Sequence, residues 1–294
     1  MRVTVQCVSA SSSSSPHTPE IGNKQIVHNV HVVRELEQRG AIFVEELDEV
    51  PEGATVIFSA HGVSPAVRTE AQRRHLDVID ASCPLVTKVH GEARRFAGRQ
   101  NTVLFIGHSG HEETEGTLGE APDQTVLVET VGDARSVTVP DENRVAYLMQ
   151  TTLAVDEAQE VVDELRQRFP ALDGPGSDDI CYATTNRQNA VRAVTEDADL
   201  LLVLGSTNSS NSQRLAELGE RAGAPAHLVD DTTEVDLAWL AGTERVAVTA
   251  GASAPPQLVS ELIEALRGLG PVEVHEQSVA TEPVRFALPK EVRS

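Results

Sequence analysis

The chain has 294 residues, a formal net charge of −21 and 3% aromatic residues. The length allows two or three domains with real cores, and the acidic balance repels nucleic acid at long range. No apolar run reaches the roughly 18 residues of a membrane helix, and residues 1–20 lack the apolar core of a secretory signal.

Read in chain order, Met1–Val8 has the makings of a short strand, but Ser9–Ser15 is a serine tract followed by Pro16 and Pro19. Segment 1–24 is expected to be atypical and disordered. From Gln25 onward one pattern recurs. A short apolar run ends in a loop of small polar residues or histidine, and a helical period follows. Thr55–Ser59 runs into Ala60–Ser64, Thr102–Ile106 into Gly107–Glu113, and Val145–Leu148 into Met149–Thr152. Leu200–Leu204 runs into Gly205–Asn211, and Val246–Val248 into Thr249–Ser253. These read as strand-to-helix junctions of parallel sheets, where ligands bind beyond the carboxyl ends of strands. One serine-rich junction is a set of helix caps; five polar junctions together point to an anionic ligand.

The helical stripes agree. Asn29 caps a helix carrying Val30, Val33 and Leu36, which puts His28 at a helix entrance. Val155, Ala158, Val162, Leu165 and Phe169 form one stripe, and Val259, Leu262, Ile263 and Leu266 another. Cys83 follows an apolar run and precedes Pro84, which suits the first helical turn, so Cys83 is expected at a helix start. There the backbone N–H groups favour a thiolate or an anionic cofactor; the alternative reading of a lone cysteine is a buried structural one. Cys181 lies 98 residues further on, again before a fresh α/β stretch. The fold class is α/β, with three similar domains at 25–82 (incomplete), 83–180 and 181–275. A C-terminal tail, 276–294, packs back through Val284, Phe286 and Leu288.

The three cysteines Cys7, Cys83 and Cys181 are distant and odd in number, which argues against a disulfide scaffold and for a reducing compartment, hence the cytoplasm. Thiolates from separate domains could meet at one metal centre. An iron–sulfur cluster with an open position and a catalytic zinc are both compatible with the spacing. His28, His61 and His111, with Thr151, Ser209, Ser210, Asn211 and Ser253, form a set of neutral donors able to hold a diphosphate without lysine. Glu113 is a candidate proton donor; flanked by Glu112 and Glu115, it could equally be a solvated loop carboxylate.

The runs Ile26–Asn29, Ser59–Ser64, Asp80–His90, Gly107–Thr117, Gln150–Leu153, Asp179–Gln188, Asn208–Ser212 and Thr249–Pro255 together resemble the 4-hydroxy-3-methylbut-2-enyl diphosphate reductase family. This is the last enzyme of the non-mevalonate isoprenoid route. The resemblance covers about residue 25 to the C-terminus. It implies three α/β domains in a pseudo-threefold arrangement around a central [4Fe–4S] cluster, and reductive removal of the substrate hydroxyl as water. The products would be isopentenyl and dimethylallyl diphosphate, and the electron donor ferredoxin or flavodoxin. It also implies that Cys83 and Cys181 are cluster ligands and that Glu113 is the proton donor, with Thr151 near the reacting hydroxyl. His28, His61, His111, Thr151, Ser209, Ser210, Asn211 and Ser253 would hold substrate, with neither nucleic acid nor membrane as partner.

Two departures stand out. Glu112 occupies a place where the family usually has proline, a change expected to alter loop stiffness more than chemistry. The glycine-flanked first cysteine of the family is absent, and Cys7 lacks those glycines, so no ligand role is carried onto it. A misplaced start or reading frame is the expected cause; read as written, the chain would hold an oxygen-labile cluster poorly and show little reductase activity. The competing readings are a quinolinate synthase-like iron–sulfur enzyme and a non-catalytic member lacking the third ligand.

Overall fold

The computed structural model describes residues 1–5, 21–282, 284 and 286–292. Cys7 and the serine tract lie outside them. Its elements in chain order begin with β1 (Arg2–Val5), β2 (Ile21–Asn23), α1 (Val30–Gln38), β3 (Ile42–Val44), β4 (Thr55–Phe58), α2 (Pro65–Arg73) and β5 (Asp77–Asp80). Next come α3 (Pro84–Gly98), β6 (Thr102–Ile106), α4 (Glu112–Leu118), β7 (Thr125–Val128), α5 (Val131–Ser136), β8 (Val145–Met149) and α6 (Val155–Arg168). The last part holds α7 (Tyr182–Thr195), β9 (Leu200–Leu204), α8 (Ser210–Arg221), β10 (Ala226–Val229), β11 (Arg245–Ala250), α9 (Pro256–Leu269) and β12 (Glu273–Glu276).

The strands form three parallel sheets, ordered β3-β2-β4-β5, β7-β6-β8 and β10-β9-β11-β1-β12. Their similar topology is that of a repeated α/β unit. Parallel strands covered on both faces read as unbroken apolar runs, and β9 shows it. Leu200, Leu202 and Leu204 meet Leu258, Leu262 and Leu266 of α9, while Leu201 and Val203 meet Val191 and Val194 of α7 and Leu215 and Leu218 of α8. β6 repeats this, with Leu104 and Ile106 against α6 and Val103 and Phe105 against Val89, Ala93 and Phe96 of α3. A third cluster (Val44, Val56, Phe58, Ala71, Leu76) seats α2 on the first sheet.

The chain folds as two compact units. One takes in the described residues of Met1–Thr18, His28–Gln38 and Tyr182–Arg285; the other those of Pro19–Val27, Arg39–Cys181 and Phe286–Ser294. The first contains the five-stranded sheet, and the second contains the other two.

The disorder expected over 1–24 fails at both ends of that segment. Arg2–Val5 is a strand inside the five-stranded sheet, between β11 and β12, and Ile21–Asn23 is a strand between β3 and β4. Arg2–Val5 lies in the run already read as able to form a short strand, whereas at Ile21–Asn23 the parallel ladder supplies backbone partners that local composition does not advertise. The C-terminal tail also differs. Val284, Phe286 and Leu288 are exposed, and the contact with β5 is made instead by the single turn Lys290–Val292. Among the described residues no helix is long and apolar enough to cross a membrane.

Candidate functional site

In the two-sheet unit, the polar loops after β4, β5, β6 and β8 are tied together by hydrogen bonds. Cys83 is the cap of α3, with Pro84 at the first helical position, as its sequence predicts. Its backbone N–H donates to Ala60 O at 2.9 Å, which joins it to the loop carrying His61. Gly62 takes φ +79°, and a Cβ there would lie 2.9 Å from Val86 Cγ1, so only glycine lets this loop pass so close to α3.

Cys83 and Cys181 are both half-buried free thiols within this unit. Burial pushes the Cys83 thiol up, the backbone N–H groups of Leu85 and Val86 pull it back, and the nearby charges of Cys181 and Glu113 push it up again.

Glu113 is buried, with 1% of its surface exposed, so it is not a solvated loop carboxylate. Its Oε1 accepts from the Thr151 N–H at 2.7 Å, and its Oε2 lies 2.9 Å from Thr151 Oγ1. Burial raises its carboxyl to about 7, against the pull of these Thr151 bonds and with a smaller push from Asp179. Thr151 also accepts, through its carbonyl, the Cys181 N–H at 2.9 Å. One residue thus links the candidate acid to a candidate ligand. Gln150, fully buried, accepts the His108 N–H through Oε1 at 2.9 Å and donates to Thr152 Oγ1 at 2.8 Å, which sets the Thr151 loop.

His111 caps α4, and its Nδ1 accepts the Glu113 N–H at 3.2 Å. Its ring stands edge-on to His61, with centroids 5.7 Å apart. Glu112 does more than change loop stiffness. Its Oε2 lies 3.1 Å from His61 Nδ1 and 3.2 Å from Ser59 Oγ. That expectation is corrected, because the first residue of α4 faces back to the loop after β4. A cavity of about 70 Å³ opens beside this cluster, lined by Lys24, Ser59, Gly62, Ser64, Glu112 and Gly116 among others. Grooves of about 420 and about 400 Å³ lie on the other unit and touch none of the predicted site residues, so size is no guide here.

The remaining predicted residues belong to the five-stranded unit. Ser209 caps α8, its Oγ accepting from the Ser212 N–H and from Ser212 Oγ at 3.0 Å. Ser210 and Asn211 open that helix and are buried. Both side-chain atoms of the Asn211 amide, Nδ2 and Oδ1, are buried and have no hydrogen-bond partner among the described residues. Buried amides are normally paired, so this one is open to partners from water or a ligand. A Cβ on Gly251 would fall 2.1 Å from Ser212 Oγ, so the loop after β11 needs glycine to approach α8. Ser253 Oγ donates to His28 O at 3.0 Å, and Asn29 Oδ1 caps α1 by accepting from His31 N and Val32 N. His28, Ser209, Ser210, Asn211 and Ser253 are thus held by one unit, and His61, His111, Glu113, Thr151, Cys83 and Cys181 by the other.

Sequence reasoning did not single out Lys88 and Asp179. Asp179 is buried, accepts the Met149 N–H at 3.0 Å and meets Lys88 Nζ at 3.0 Å, which pins the segment leading to Cys181 onto α3 and β8. Burial raises its carboxyl to about 6 despite Lys88. The available signal was the scarcity of lysine: a lone lysine one turn after Cys83, in a chain rich in arginine.

Comparison with known proteins matches residues 4–267 to the model of the LytB protein family. The chain is 57% identical over 280 residues to 4-hydroxy-3-methylbut-2-enyl diphosphate reductase 2 of Mycobacterium bovis, spanning 94% of this chain and 85% of that protein. It is 53% identical over 272 residues to the reductase of Cronobacter sakazakii, spanning 92% and 86%. Among solved structures, the E-1-hydroxy-2-methyl-but-2-enyl-4-diphosphate reductase of Plasmodium falciparum superposes with a TM-score of 0.87 at 36% identity, covering 92% of this chain and 86% of that one.

Proposed function

Since the chain belongs to the LytB protein family, we propose that it catalyses the reductive dehydroxylation of 4-hydroxy-3-methylbut-2-enyl diphosphate. The products are isopentenyl and dimethylallyl diphosphate, and the setting is the cytoplasm. The observation that carries this reading is the buried Glu113–Thr151 pair joined through Thr151 O to the Cys181 N–H, in the same unit as Cys83. The pseudo-threefold arrangement of domains 25–82, 83–180 and 181–275 belongs to the same proposal.

The donors present fit a [4Fe–4S] cluster as far as two positions: Cys83 and Cys181 are free, half-buried thiols of the same unit and would supply two of its ligands. A third protein ligand is not placed among the described residues. Such a cluster, when bound, would supply the reducing electrons, which ferredoxin or flavodoxin would deliver.

The reaction consumes two electrons and two protons: the C–O bond breaks, the hydroxyl leaves as water and the allylic carbon frame takes up the other proton. Glu113, balanced between its acid and its anion near neutral pH, accepts from Thr151 Oγ1 at Oε2 (2.9 Å) as the anion, and once protonated there it can donate back along the same line. The Thr151 hydroxyl both accepts and donates, so it can pass that proton on toward the leaving oxygen. The family resemblance would assign His28, His61, His111, Thr151, Ser209, Ser210, Asn211 and Ser253 to the substrate, chiefly its diphosphate, as neutral and imidazole donors. The orphaned Asn211 amide gains partners from such a ligand.

The test is turnover by the full chain, reconstituted anaerobically with iron and sulfide, under reductant. Consumption of the allylic alcohol diphosphate with formation of both products is expected, and Glu113→Gln should lower kcat by about two to four orders of magnitude. Substrate binding without turnover under reductant would instead favour the non-catalytic reading; turnover without reductant would favour a dehydrating condensation enzyme.

A further inference from the structure

We propose that Glu112 is a positioning residue that holds His61 as a doubly protonated donor for the diphosphate; this rests on the functional reading above. Two histidines at this cluster face opposite kinds of partner. His111 Nδ1 accepts a backbone N–H from Glu113 at 3.2 Å, so its ring proton sits on Nε2 and the neutral imidazole is already a donor there. His61 is the reverse case. Its Nδ1 lies 3.1 Å from Glu112 Oε2, and an ionised carboxylate only accepts, so the Nδ1 position carries hydrogen. A neutral ring with hydrogen on Nδ1 presents a lone pair at Nε2, which repels a phosphate oxygen. The ring becomes a phosphate donor at Nε2 only by taking a second proton, and a carboxylate on the opposite nitrogen favours that form.

The carboxylate is well seated for this work. The Glu112 and His61 side chains each keep only 16% of their surface exposed, so water screens the pair weakly. Ser59, 2% exposed, donates to the same oxygen at 3.2 Å and fixes its place. Within the same unit, the other charged groups close by include His111, edge-on to His61, and Lys24, which pairs with Glu115 at 3.0 Å and whose charge also reaches Glu112. Glu112 is the first residue of α4, a position that proline also suits, so the carboxylate can be removed without breaking the helix.

The experiment measures binding of inorganic pyrophosphate to the full chain by calorimetry, beside the ring-nitrogen NMR shifts of His61, assigned by their loss in His61→Asn. Glu112→Gln and Glu112→Pro should each weaken pyrophosphate by about ten-fold or more. The His61 nitrogens should move from the imidazolium pattern to that of a neutral ring. In turnover, KM should rise by a larger factor than kcat falls. Equal or tighter pyrophosphate binding by both variants, or unmoved His61 shifts, overturns the inference and leaves the reductase reading intact. Absence of pyrophosphate binding by the parent chain removes both.

Discussion

Glu113 couples stability to pH as well as holding a proton. Its carboxyl is raised by burial from 4.5 to about 7 in the folded chain. The folded state therefore binds more protons than the unfolded state between those two values. The contribution is fully favourable below about pH 4.5 and is lost as pH rises through about 7, on the order of 3 kcal/mol across the window. Glu113→Gln should flatten that part of the stability profile. Urea unfolding of parent and variant on either side of the window measures it, and parallel profiles would refute the assignment of the shift to this carboxyl. Glu113 was legible in the sequence as a motif residue, but its burial was not. Three glutamates in four residues look like a solvated face until α4 turns the middle one inward.

At the scale of elements, α3 organises the two-sheet unit: its first turn carries Cys83, its second carries Lys88, and its apolar stripe seats it against β6. The Lys88–Asp179 pair couples this helix to the segment that ends in Cys181. The two halves of the pair are unequal. Lys88→Met leaves a buried carboxylate without its cation and should cost about 3 kcal/mol, a figure limited by the ease with which Asp179 takes a proton. Asp179→Asn keeps an acceptor for the Met149 N–H and should cost less. Chemical unfolding of both variants checks the order, and the reverse order would show that the pair does not hold this segment. The helix could be foreseen from Pro84 and the spacing of Val86, Val89, Ala93 and Phe96. The ion pair could not, because its partners are 91 residues apart.

For the whole molecule, the same α/β solution appears in three sheets. A cluster ligated by Cys83 and Cys181 predicts that Cys83→Ser and Cys181→Ser each lose most of the iron and visible absorbance of the reconstituted chain. Cys7→Ser should retain them, since Cys7 lacks the flanking glycines of the family's first ligand. Iron and sulfide analysis decides the matter, and a Cys7→Ser loss equal to the others would make that thiol the third ligand.

What the chain carries in its order of residues alone is the repeated alternation of buried strand and amphipathic helix, because periods of two and of 3.6 are local properties. The polar junctions and the family resemblance came with it. Tertiary structure alone decided that Arg2–Val5 joins the five-stranded sheet, that Glu112 lies against His61, and that Lys88 pins Asp179. It also decided the protonation of Glu113. Each of these depends on which distant groups exclude water from, or lend hydrogen bonds to, a given atom, and no window of sequence contains that information.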